Sequence, residues 1–347
     1  MITIAAMGQE PKTGPQAAPS SMADWRAMVA PYQHPDVRRS LWQVVTTLAP
    51  LAIAFVLMYL SLAWSYWLTL VLMVPTAGLL VRTFIIMHDC AHGSFVPSRR
   101  INDLLGYLTG VITLTPFHEW QHEHAIHHAT AGDLDRRGHG DINTLTVREY
   151  RALSFWGRLG YRLYRNPAVL LGFGPIYLIL GQRWPGRQTR WESPQFVSVW
   201  ITNLGIIAGI VLFGWLIGLK ALALIYAPTI YLAGIAGVWL FYVQHQFDEA
   251  YWQPHPRWDY VKAAIAGCSY LKMPRILQWF TGNIGLHHVH HLAPRIPNYR
   301  LQRAHDENPI FHDVPVITLS RITPLLFLAL WDETQGRMVG FRELRAN

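Results

Sequence analysis

Charge is scarce in this chain. Only 14% of the 347 residues are Asp, Glu, Lys or Arg, against roughly 25% in soluble domains. With 51% apolar residues, that shortfall excludes a disordered chain, a collagen-like repeat and a long coiled coil. Cysteine is nearly missing: Cys90 and Cys268 are the only two, too few for a disulfide scaffold, a four-cysteine zinc site or an iron–sulfur cluster. The chain has no Rossmann glycine fingerprint, no fused heme motif and no internal repeat. It also lacks a charged segment followed by an apolar core at the start, so no signal peptide is expected. Residues 1–25, rich in Gln, Pro, Ser and Ala, read as a mobile tail ahead of a single domain over 26–347. Acidic residues number 21 against 29 basic ones, a formal net charge of +8. Such a balance suggests nucleic acid, but the placement of the cations points to a membrane.

Three long stretches carry no charge at all: Ser40 to Val81, Ser193 to Leu219, and Ala221 to Phe247. The first would make a helix of about 63 Å at 1.5 Å per residue, whereas one span needs about 20 residues. It therefore reads as two helices with a turn near Ser65-Tyr66. Four spans are expected, at 41–62, 67–87, 196–217 and 222–243. Of the 29 Lys and Arg, all but Lys220 fall before, between or after these hairpins on one side. That is the positive-inside pattern. It puts both termini, the loop 88–195 and the region 244–347 in the cytoplasm, facing anionic headgroups or an acidic partner rather than nucleic acid. The weaker apolar runs Leu104–His118 and Asn166–Gln182 are too short and too broken by Gly and Pro to span, and read as helices lying in the interface. The expected fold is all-α and integral to the membrane, multi-pass, with a cytoplasmic helical cap.

Histidine, by contrast, is plentiful at 17 residues, and twelve of them cluster. His88 and His92 are spaced i, i+4 at the end of the second span. His124, His127 and His128 form an i, i+3, i+4 set, and so do His287, His290 and His291. Each set occupies one face of one helical turn. Packed imidazoles repel when protonated and waste apolar burial when neutral, so three sets meeting on one side call for metal. Eight rings are too many for one zinc, which takes three or four ligands. Two ions with about four nitrogens each fit better, and only a redox metal activates O₂. Isolated histidines such as His34, His139, His255, His305 and His312 read as structural.

The strings His88-Asp89-Cys90-Ala91-His92, His124-Ala125-Ile126-His127-His128 and His287-His288-Val289-His290-His291, in this order around four spans, resemble the histidine boxes of the membrane fatty acid desaturases. The resemblance covers nearly the whole chain from about Arg38. Gly285-Leu286 ahead of the third box, Pro294-Arg295-Ile296-Pro297-Asn298-Tyr299 after it, Phe241 through Phe247, and Leu330-Trp331-Asp332-Glu333 are similar to the acyl-lipid, omega-6 (Δ12-like) branch. The chain departs from that pattern at Gln121 and Ala91. The resemblance implies a non-heme di-iron centre held by His88, His92, His124, His127, His128, His287, His290 and His291. It implies His245 as an additional ligand beyond the last span. It also implies Asn283, four residues before His287 and so expected on its helical face, as a residue reaching iron through water.

His118-Glu119-Trp120-Gln121-His122 is a literal HExxH, the zinc metalloprotease motif. That reading leaves His88, His92 and the third cluster unexplained, and a metal or proton transporter would need ionisable groups within the charge-free runs. Carotenoid ketolases or hydroxylases and alkane hydroxylases share such boxes and are the alternative readings. Removing hydrogens from adjacent methylenes has no acid–base route, so an oxidant made from O₂ is required. The expected substrate is a membrane lipid or fatty acyl chain bound by shape. With no redox group of its own, the chain needs a separate electron donor, a small acidic ferredoxin or rubredoxin-like protein.

Overall fold

The computed structural model describes residues 22–138, 140–186 and 189–345. Most of the expected tail, residues 1–21, and His139 lie outside them. The chain is already helical at Met22–Val29 (α1), and Trp25 packs against Tyr260.

Four helices are long and apolar enough to cross a membrane: Val37–Ser61 (α2), Tyr66–Ala91 (α3), and, after the intervening segments, Pro194–Ile217 (α9) and Leu219–His245 (α10). Between α3 and α9 lie Arg99–Ile112 (α4), Phe117–Thr130 (α5), Val147–Ala152 (α6), Phe155–Tyr164 (α7) and Pro167–Gly181 (α8). After α10 come Tyr260–Ala266 (α11), Arg275–Phe280 (α12), His287–Leu292 (α13), Asn298–Glu307 (α14) and Ile322–Leu325 (α15). The fold is all-α apart from two small sheets. In one, Leu145–Thr146 (β1) pairs in parallel with Leu328–Asp332 (β4), which pairs antiparallel with Arg337–Gly340 (β5). In the other, Tyr270–Lys272 (β2) lies parallel to Val316–Thr318 (β3).

Two of the long helices, α2 and α9, start where a side chain takes their free N–H groups. Asp36 accepts from the amides of Arg38 (3.0 Å) and Arg39 (3.2 Å), and Ser193 accepts from Phe196 (3.2 Å) ahead of Pro194. The α2–α3 hairpin is pinned by the Ser61 and Thr69 hydroxyls, 2.7 Å apart. Gly218 makes the α9–α10 turn with φ +84°, a conformation open mainly to glycine. Of the four, α3 is central: 61% of its apolar window is buried inside the protein, against 17% to 22% for the others. Their remaining surfaces, with Trp42, Val71 and Val211 exposed, suit lipid contact.

The starts of α2 and α9 and the ends of α3 and α10 share one end of the bundle. Ser40 Oγ donates to the Phe95 carbonyl, and the His118 amide donates to Ser198 Oγ at 3.1 Å. The bent pair α7–α8, kinked by 76°, enters and leaves at this same end. Arg165 at its kink bonds Gln246 just past α10, and the Gly186 amide after it meets Glu119 in α5. Within the pair α8 leans on α10, with Tyr231 OH donating to the Gly172 carbonyl at 2.9 Å. Against the expectation of a helix lying flat, α4 is tied to the spans. Gly205 of α9 makes room for Val111, and Tyr226 OH of α10 donates to the Ile112 carbonyl at 2.7 Å.

Candidate metal centre

Two of the four long helices run past their apolar cores and carry histidine with them. The second span extends to Ala91, so His88 lies inside α3 with His92 as its cap, and α10 ends on His245 itself. A further five histidines ride on α5 and four on the single turn of α13. The third cluster is held in place by β2. The Leu271 amide donates to the Gly285 carbonyl at 2.8 Å, and a Cβ at Gly285 would come within 2.5 Å of the Leu271 carbonyl oxygen. Only glycine allows that approach.

These elements bring eight histidines into two groups of four. In each group, one ring nitrogen per residue lies within 4.8 Å of the others: His88, His92, His124 and His290 in the first, and His127, His245, His287 and His291 in the second. Within the second, His245 Nε2 is approached by Nε2 of His287 at 2.8 Å and of His127 at 3.2 Å. One ring nitrogen has a single lone pair or a single proton, so it cannot satisfy both neighbours by hydrogen bonding. His88 Nε2 and His290 Nε2 face each other at 3.0 Å, and the buried Nε2 atoms of His92 and His291 have no hydrogen-bond partner. Convergent nitrogens with orphaned lone pairs fit a cation at each group.

The rings are also kept neutral, the form that binds metal. Burial lowers the basicity of His92, His124, His128, His287, His290 and His291 well below the usual histidine range, and neighbouring rings push in the same direction. Burial alone holds His127 at about 4.

His128 belongs to neither group. It lies between them, stacked on His291 with ring centroids 4.1 Å apart, and its Nε2 is 3.1 Å from His124 Nε2. Asn283 does not share a helical face with His287. The helix begins only at His287, and Asn283 has φ +59° in the turn before it, where its amide donates to the Asn298 carbonyl at 3.2 Å. The expected relation fails because consecutive left-handed residues, Gly282 and Asn283, break the helical spacing.

The HExxH residues do not assemble a metal site among the described residues. His118 Nδ1 engages Gln121 Oε1 at 2.8 Å, Glu119 Oε1 accepts from Gly186, and His122 is exposed. His118, His122, His92 and His124 instead line a half-open cavity of about 690 Å³, with Arg99 and Asp103 at its side. Several neighbours of the centre gave no separate signal in the sequence. Trp120 stacks on His124 at 4.2 Å, Phe241 packs on His127 and His245, and Cys268 Sγ lies 3.8 Å from His245 Nδ1. Asp89 sat in plain view inside the first box, beside His88.

Four apolar helices gathering two four-histidine groups at one end define a membrane protein built for a pair of metal ions. The fatty acid desaturase family pattern matches residues 62–316, and the chain belongs to that family. It is 46% identical over 322 residues to a fatty acid desaturase of Bacillus subtilis, covering 91% of this chain and 90% of that one. It is 30% identical over 243 residues to an sn-1 acyl-lipid omega-3 desaturase (ferredoxin) of Synechocystis sp., covering 64% and 62%. An sn-1 oleoyl-lipid 12-desaturase of Synechocystis sp. is 26% identical over 288 residues, covering 76% and 73%.

Proposed function

We propose that the chain is an O₂-dependent desaturase of acyl chains carried on membrane lipids, Δ12- or omega-6-like, with two irons in the paired histidine groups. The pairing of two nearly all-nitrogen groups at the end of the bundle carries this reading. Residues 26–347 are read as one desaturase domain with its capped end cytoplasmic, as the one-sided cations support. Histidine without carboxylate ligands suits iron, and the groups' neutral rings suit a divalent ion. Iron held there supplies the oxidant, made from O₂, that an unactivated C–H bond requires.

The balance is one –CH₂–CH₂– unit of the acyl chain, O₂, two electrons and two protons giving one double bond and two waters. The chain's own residues have three tasks in it. Eight histidines, with His128 between the groups, hold the ions in fixed relation. Trp120 and Phe241, packed on those rings, exclude water from the flanks of the site. The acyl tail needs an apolar path. A cavity of about 310 Å³ between α3, α8 and α10, lined by Val74, Gly78, Leu171, Leu232, Ala236 and Trp239, offers one. Electrons come from a separate small acidic donor, ferredoxin or rubredoxin-like, since the sequence carries no heme, Rossmann or iron–sulfur motif of its own. The name of the Synechocystis omega-3 relative, which includes ferredoxin, supports that choice.

Expression in a host that makes only saturated and monounsaturated lipids, followed by mass spectrometry of the fatty acids, tests the reading. A new diene is the expected product. A changed carotenoid with unaltered lipids would overturn it in favour of a ketolase or hydroxylase.

A further inference from the structure

The two histidine groups match in number but not in what stands behind them. Asp89 is 3% exposed, and its two oxygens are fully engaged. Oδ1 lies 3.1 Å from His88 Nδ1. Oδ2 accepts from the Asn298 backbone amide at 2.7 Å and from its side-chain amide at 2.8 Å, and the same side chain reaches Gln43 Oε1 at 3.2 Å. The network ties α2, α3 and α14 together behind one ring. No Lys or Arg among the described residues pairs with this carboxylate. A buried carboxylate is costly unless a positive charge answers it, and a metal ion held by His88 would answer it.

The geometry also suits one neutral tautomer. A carboxylate accepts, so His88 Nδ1 carries the proton and its Nε2 lone pair is left facing His290. No other member of the two groups has a carboxylate on its ring among the described residues. In the second group His245 Nδ1 faces the Cys268 thiol, and Nδ1 of His127 and of His287 has no partner. Charges of both signs lie near that group, since Asp141 interacts with both Arg165 and Cys268. The Arg165 guanidinium donates to Gln246 Oε1 at 2.7 Å, one residue past His245, and to the Leu328 carbonyl at 3.0 Å.

We infer that Asp89 is a positioning residue that makes His88, His92, His124 and His290 the tighter of two unequal metal positions, so that this group fills first. The inference rests on the proposed metal centre. A carboxylate behind a ligating imidazole fixes its orientation and strengthens it as a donor, and losing such a partner typically weakens metal binding about 10–100-fold.

The test is a cobalt(II) titration of the metal-free, full-length protein under anaerobic conditions, followed by visible absorption. Wild type should bind two cobalt ions in two separable phases. Asp89→Asn keeps the shape and removes the charge, and should weaken the tighter phase by about 10–100-fold while leaving the weaker phase where it was. Asn298→Ala keeps the carboxylate but loosens it, and should weaken the same phase by less; it also serves if Asp89→Asn fails to fold. Two cobalt ions bound with a single affinity in wild type, or equal weakening of both phases in either variant, overturns the assignment of Asp89. Failure of wild type to bind cobalt at all would instead overturn the metal centre itself.

Discussion

A neutral imidazole gives a metal one lone pair, and burial keeps that pair free of protons in this site. His127 illustrates the consequence. Its proton affinity in the folded chain corresponds to about 4, against an ordinary 6.5. Between those values the unfolded chain binds the proton and the folded one does not, so acid favours unfolding. The stability is fully present above 6.5 and is lost as the pH falls toward 4. The thermal midpoint of the metal-free protein should drop over that window and stay level from pH 7 to 8; a midpoint that rises on acidification would contradict the buried, neutral cluster. A second residue-scale prediction separates two overlapping motifs. Glu119 accepts from Gly186 and belongs to neither histidine group, so Glu119→Gln should keep most of the activity. His124→Ala should abolish it and lower metal content. Activity assays with metal analysis decide, and complete loss in Glu119→Gln with both metals retained would count against the desaturase assignment.

At the scale of elements, much of the architecture was legible and some was not. Uncharged runs located four helices because lipid tolerates little else over 20 residues. The ends were not legible, because a helix does not stop where its apolar run stops. Packing against the cap carries α3 to Ala91 and α10 to His245. Box histidines could be read from their spacing, since i, i+3 and i+4 neighbours share a face. Asn283 could not, because a single left-handed turn undoes that arithmetic. Strands of two to five residues, such as β1 and β4, are too short for a period-2 signal to stand out from turns. One of those strands nonetheless sets the third box. Gly285→Ala would drive a Cβ into the Leu271 carbonyl, and forced overpacking of this kind costs about 1–3 kcal/mol. The expected result is a lower thermal midpoint together with weaker metal retention, read by calorimetry and metal analysis. An unchanged protein would show that β2 does not position α13.

For the whole molecule, the question is which parts cross the bilayer. The bent pair α7–α8 would add a fifth span if it crossed, but its kink touches Gln246 and the segment after it touches Glu119, both at the histidine end. Four crossings keep the histidine clusters and the C-terminus on one side. Reporter fusions after Asp141 and at the C-terminus should therefore both report the cytoplasm, and opposite signals would require α7–α8 to cross. Arg82 is a basic residue well inside a span helix, α3. It stacks on Trp279 at 4.2 Å and bonds Thr47 and the Trp279 carbonyl, fastening α12 to the bundle just below the metal groups. The bundle, the cap and the basic face thus converge on a single centre, and its composition is the most direct test. After anaerobic reconstitution, elemental analysis with X-ray absorption should find about two irons per chain in nitrogen-dominated shells, the ratio that two four-histidine groups demand. A single, tightly held zinc as the active form would contradict the account.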